Sequence, residues 1–171
     1  MKPGYGVRRL AAALLIVSML MSVPGTALAG GLGVKHWRER VRLVRLFRGG
    51  NAVLRKGQYG YVLDIKSGYV IRVKRLGGHY HMDLEPADRA SGRMMKKLGK
   101  SWHARPAILY ANGHLVACSI NTKPHGRQTI RNNGFRGMFC LHMMGSRTHG
   151  KKRIRRSHQQ AIEKAFRWAH G

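Results

Sequence analysis

Two hydrophobic periods divide this chain. Tyr59 to Ile65 and Tyr69 to Arg75 read as strands of one hairpin around Ser67-Gly68. Ala107 to Ala111 and His114 to Ile120 read as a second around Asn112-Gly113, a dipeptide suited to the tight turn that a right-twisted hairpin needs. Elsewhere the apolar positions follow a helical period. From Lys35 to Phe47, Trp37, Val41, Leu43, Val44, Leu46 and Phe47 alternate with Arg38, Arg40, Arg42 and Arg45, with Arg48 just beyond, predicting a basic amphipathic helix ended by Gly49-Gly50. Pro86 fits the first turn of a middle helix running to about Leu98, with Asp83 or Glu85 placed to cap it. Ser157 and Gln160 form a capping box for a C-terminal helix that buries Ile162, Ala165, Phe166 and Ala169. The expected fold class is α+β: a single domain of mainly antiparallel hairpins with N-terminal, middle and C-terminal helices.

The first 29 residues follow a different pattern. Lys2, Arg8 and Arg9 precede the apolar run Leu10 to Val23, then Pro24-Gly25 and Ala27-Leu28-Ala29, the three parts of a secretory signal peptide. The run is about 14 residues long, short of the roughly 20 that span a bilayer. The expected organisation is a leader at 1–29, the basic helix and its connection at 30–56, and the α+β domain at 57–171.

Charge narrows the partners. The formal charge is +27, and +24 once Lys2, Arg8 and Arg9 are gone. Such a field draws polyanions and weakens as salt rises. For an exported chain these are peptidoglycan or other anionic wall polymers, or an anionic membrane surface. No aromatic stacking platform or zinc-finger spacing argues for specific nucleic-acid recognition. A solvated face that keeps the protein soluble is the plain alternative.

Candidate chemistry falls in two stretches. Three of the six acids lie within His79 to Asp88, where His79, His81 and Asp83 would share one side of an extended segment and could converge on a metal. Helix capping accounts for the acids but not for the histidines. The second stretch, Pro124 to Gly150, holds Cys140, His125, His142 and His149 and no acid. Imidazoles near a thiol favour the thiolate, so Cys140 is a candidate nucleophile with His125 as the expected base and His142 as a second proton carrier. Other readings stay open: a disulfide with Cys118, a metal ligand, or a buried apolar filler. Arg147 and His149 are candidate substrate contacts, Arg147 as a carboxylate clamp. The rival metal set is His81, Asp83, His142 and His149, with zinc as the cofactor; the nucleophile reading needs none.

The His81-x-Asp83-x-Glu85-Pro86, Pro124-His125-Gly126, Phe139-Cys140-x-His142 and Ser146-Arg147-Thr148-His149-Gly150 runs together resemble exported domains of Gram-positive bacteria that accompany wall-binding repeats. The likeness covers about Gly57 to Ala169 and implies a cell-wall context without an assigned activity. More distantly, His125-Gly126 followed by Cys140 is similar to the L,D-transpeptidases of peptidoglycan. Met138, Phe139 and His142 depart from that pattern, so only Cys140 and His125 carry over. This likeness implies acyl transfer through a thioester.

Overall fold

The computed structural model describes residues 38–171. The expected leader and the start of the basic helix at Lys35 lie outside them. Seven strands form one sheet: β1 (Val41–Arg42), β2 (Tyr59–Asp64), β3 (Val70–Gly77), β4 (Met82–Pro86), β5 (Arg105–Ala111), β6 (His114–Ile120) and β7 (Phe139–His142). Six of them close on themselves in the order β2-β3-β4-β7-β6-β5, every pair antiparallel. One edge of β6 is shared. Its first half takes β1 in parallel, through Val41 opposite Leu115, and its last residues take β7. Closure satisfies strand edges that would otherwise recruit another chain.

Successive side chains on a strand alternate between faces, so the barrel wall has an apolar inside and a second, separately covered outside. Inside are Val62, Ile71, Val73, Met82, Leu84, Leu109, Val116, Cys118, Ile120, Phe139 and Leu141, nearly all without exposed surface. Outside, Leu63, Ile108, Leu115 and Ala117 are covered by Ile162, Ala165 and Ala169 of the C-terminal helix α2 (Arg156–His170). Met82 and Leu84 therefore face inward. Asp83 and Glu85, one residue out of phase, face outward, as Cys140 and His142 do between Phe139, Leu141 and Met143.

Both expected hairpins form, and Asn112 and Gly113 take positive φ at the second turn. Three helices differ in part from the sequence reading. The described part of the basic segment is not one helix: Val41–Arg42 is strand, and Leu46–Gly50 is a tight turn broken at Arg48 and Gly49. A helix through Arg38, Arg42 and Arg45 would stack like charges on one face, whereas the strand buries Val41 and leaves Arg42 outside. The middle helix, α1 (Arg89–Lys97), starts later than expected. Asp88 is its cap, accepting from the Ser91 N–H at 2.8 Å, and Pro86 ends β4, so Asp83 and Glu85 are strand residues. Helix α2 begins after Arg155 with no side-chain cap, in place of the Ser157 box.

Candidate active site

The pairing of β4 with β7 creates the site. Asp83 stands directly opposite Cys140, and on the other side of β7 His142 stands opposite Ser119. Strand alternation puts all four on the outer wall, where three non-strand segments close over them.

The first is the turn before β4. Gly78, at φ +89°, lies so close to the His81 carbonyl that no larger residue fits. Arg75 pins this turn from below, donating to the Gly77 and Gly78 carbonyls and to Leu54 O and Asn51 Oδ1, at 2.7 to 3.0 Å. His81 leaves the turn buried, with its Nδ1 2.8 Å from the Arg147 carbonyl. A carbonyl only accepts, so Nδ1 carries the proton and Nε2 faces the site. Nε2 lies 3.3 Å from Asp83 Oδ1, and His149 Nε2 lies 3.5 Å from the same oxygen.

The second is the long connection from β6 to β7. Buried Glu85 anchors it by accepting from the N–H groups of Thr129 and Ile130 and from the Thr129 hydroxyl. His125 and Met138 exchange backbone hydrogen bonds of 3.0 and 2.8 Å, which sets His125 two residues before Cys140 on the facing segment. Its Nδ1 is 2.9 Å from the Lys123 carbonyl, and its Nε2 is 3.3 Å from Cys140 Sγ. As with His81, the carbonyl fixes the tautomer, and the bare Nε2 points at the thiol.

The third is the start of α2. His158 Nδ1 lies 2.8 Å from Ser119 Oγ, and its ring stacks on His142 at 3.7 Å, which in turn stacks on His81 at 4.7 Å.

These placements set the charges. Burial alone would raise the Cys140 thiol, but hydrogen bonds from His125 and His81 outweigh it and bring the pKa down to about 7. Burial likewise opposes charge on His81, yet Asp83 and the Cys140 sulfur more than offset it and lift His81 to about 10. The Asp83 carboxyl is held below its ordinary range: burial works against this, and His81 and His149 overcome it. His142 goes the other way. Burial and then the neighbouring His158 push it down to about 2, so it is a neutral plate behind His81. Cys118 has no part in this chemistry. It is a free thiol inside the barrel, pushed up by burial, and Cys140 is free as well, so the two form no disulfide.

The sequence-predicted residues are distributed as follows. Cys140, His125, His81, Asp83, His142 and His149 gather on the outer wall. Ligand atoms of His81, Asp83 and His149, of His81, Cys140 and His142, and of Asp83, His125 and Cys140 each lie within 4.8 Å of one another. Arg147 contributes its carbonyl, while its side chain is exposed. His79 is separated from the group: it sits in a bend rather than a strand, packed against Phe47 and Tyr80.

Residues the sequence reading passed over also meet here. Asn121 is buried, with its N–H on the Cys140 carbonyl and its Oδ1 3.5 Å from the Cys140 N–H. Trp102 lies over His125, ring centres 5.0 Å apart. Ser119 and His158 back the histidine stack. The one available signal was the alternation of Ser119 and Asn121 along β6 and just beyond it. Beside His125 opens a cavity of about 600 Å³ with Met95 and Phe135 in its wall and Lys96, Lys100, Lys123 and Arg136 around it.

A six-stranded antiparallel barrel with a cysteine, histidines and one carboxylate gathered on its outer wall is the class that fold and site define. The chain matches no family profile, no curated protein and no solved structure. Among the described residues no helix is long and apolar enough to cross a membrane.

Proposed function

We propose that the protein is a cysteine-dependent acyl transferase, exported and held at the cell wall, that acts on peptide carbonyls of wall stems in the manner of a diverged L,D-transpeptidase. The observation that carries this reading is the Cys140 Sγ to His125 Nε2 distance of 3.3 Å, with the tautomer fixed so that a lone pair meets the thiol proton. A thiol donor and an imidazole acceptor at this distance, in a half-buried setting, are the parts an activated nucleophile needs.

The steps follow from that pair. His125 Nε2 takes the thiol proton and the Cys140 thiolate attacks the carbonyl carbon. Oxygen charge builds in the tetrahedral intermediate, and the amide of Asn121, whose Oδ1 is 3.5 Å from the Cys140 N–H, is the candidate donor to it. The intermediate collapses to a thioester as the leaving amine receives the proton from His125. A second amine, or water, then attacks the thioester, His125 takes its proton, and the thiolate is released. His142 is no proton carrier in this scheme, because it stays neutral behind His81. The cationic cavity beside His125 suits a peptide that carries carboxylates, and the leader read from the sequence and the charge of +24 left once Lys2, Arg8 and Arg9 are gone support an anionic wall as the setting.

Incubating the reduced, metal-free protein with wall stem peptides and weighing it intact tests the reading. An adduct of acyl mass on Cys140, absent in Cys140→Ser and strongly reduced in His125→Gln, is the expected result. A chain that forms no adduct and whose Cys140 reacts with iodoacetamide no faster than a free thiol would sink it.

A further inference from the structure

We propose that His81 Nε2, Asp83 Oδ1 and His149 Nε2 form a binding site for a zinc-class divalent cation, that Cys140 Sγ is its fourth ligand, and that the bound ion shuts off the nucleophile. The inference rests on the reading of Cys140 as the nucleophile only for its regulatory half.

The Arg147 carbonyl accepts from the His81 Nδ1–H, so Nε2 is the ring atom turned to a carboxylate oxygen 3.3 Å away. Both atoms are buried and make no hydrogen bond, although His81 is 2 % exposed and Asp83 7 %. Such a buried pair calls for a positive charge between its two atoms. In the metal-free chain that charge is the second proton of His81, held there by its raised pKa, but the separation is long for a charge-assisted hydrogen bond, which runs about 2.7–2.9 Å. Ligands about 2.0–2.2 Å from a tetrahedral ion stand about 3.3–3.6 Å apart along each edge. The two separations at Asp83 Oδ1, 3.3 Å to His81 and 3.5 Å to His149, are such edges.

The donor set points the same way. Two imidazoles and a carboxylate with a thiolate suit zinc or cobalt(II), whereas magnesium and calcium want oxygen. Cys140 Sγ lies within 4.8 Å of ligand atoms of both His81 and Asp83, which puts the thiolate beside the pair as the fourth donor. His149 supplies the way in. Its side chain is 55 % exposed on the turn after β7, so an ion can be picked up from solvent and passed to the buried pair. A thiolate bound to zinc no longer has its lone pair free for attack, and the His125 pairing is lost with it.

Cobalt(II) titration of the full, reduced, chelator-stripped chain tests this. The expected result is the visible spectrum of four-coordinate cobalt with a thiolate-to-cobalt charge-transfer band, both displaced by zinc. Cys140→Ser keeps the first feature and loses the second, and His149→Ala, on an exposed turn, weakens binding at least ten-fold. In parallel, equimolar zinc slows iodoacetamide labelling of Cys140 at least ten-fold in the parent chain and much less in His149→Ala. No tetrahedral spectrum, or one indifferent to both His149→Ala and Asp83→Asn, overturns the site. A spectrum without the charge-transfer band overturns Cys140 as ligand and with it the switch. The two readings fail separately: a metal-free chain that does not label removes the nucleophile but leaves the cobalt spectrum, and a chain that labels but binds no cobalt removes only this inference.

Discussion

An ordinary cysteine is almost wholly protonated at neutral pH, so reactivity at Cys140 depends on what its neighbours do to one proton. Its pKa falls from an ordinary 9.0 to about 7 because two imidazoles outweigh the burial of the sulfur. The thiolate therefore exists above about pH 7, and alkylation of the metal-free protein should rise through that pH instead of two units higher. Replacing His125 with Gln removes one of the two donors. The first unit the thiol recovers lowers the thiolate at pH 7 from about one half to about one tenth, so labelling at pH 7 should slow by about five-fold or more; an unchanged midpoint would show that His125 does not hold the proton. His142 and His158 make the opposite prediction about stability. Their folded values lie near 2 and 4, below the 6.5 of an unfolded histidine, with His81, His149 and Arg155 adding their charges to the burial. A group whose folded pKa is depressed in this way takes up its proton more readily when unfolded, so acid favours the unfolded chain. The melting temperature should fall as pH drops from about 6.5 toward 4, and His158→Gln should flatten that slope.

Elements decide which of these residues meet. Helix α1 rests so close to the β6–β7 connection that a Cβ on Gly92 would collide with the Asn133 carbonyl, a backbone atom that cannot swing aside. Gly92→Ala should therefore destabilise by more than the loss of the helix cap in Asp88→Ala, which is worth about 1 kcal/mol, and it should also slow Cys140 labelling, because the same connection carries His125. Urea unfolding and labelling of both variants check this; Gly92→Ala at parental stability would mean that the connection gives way freely. The legibility of the sequence divides along the same line. Both hairpins could be read because their signals are local, a Gly-containing turn between two apolar runs. The buried stripe of α2 could be read from Ile162, Ala165 and Ala169. Pro86 and the acids before it suit a helix start as well as a strand end, and only the pairing of β4 with β3 and β7 decides between them. His81, Asp83, Cys140, His142 and His149 could each be singled out by residue type. Their meeting could not, because it depends on the pairing of Asp83 with Cys140, between residues far apart in the chain. Trp102 and His158 carried no signal of their own, since each matters only through the side chain it touches.

Across the whole molecule the dominant quantity is charge, and it acts on a different length scale from the site. With 33 lysines and arginines against 6 acids, the protein is surrounded by a field that reaches about one Debye length, ~8 Å at physiological salt and ~3 Å at 1 M. The Cys140–His125 contact is short, 3.3 Å, and its sulfur is buried, so salt has little effect on it. Retention and chemistry should therefore separate. Binding to purified wall polymer or to anionic vesicles should weaken by at least ten-fold between about 0.05 and 0.5 M salt, as expected where many weak exposed contacts each release a counterion. Over the same range the rate of Cys140 alkylation by a neutral reagent should change less than two-fold. Co-sedimentation and mass-mapped labelling on the same samples read the two together. Retention that survives about 1 M salt would mean a specific, desolvated polymer site in place of a diffuse field, and the lysine-lined cavity beside His125 would be the first place to look for it. A labelling rate that falls with retention would mean instead that the exposed arginines and lysines reach the thiol, and that the histidines and Asp83 alone do not set its reactivity.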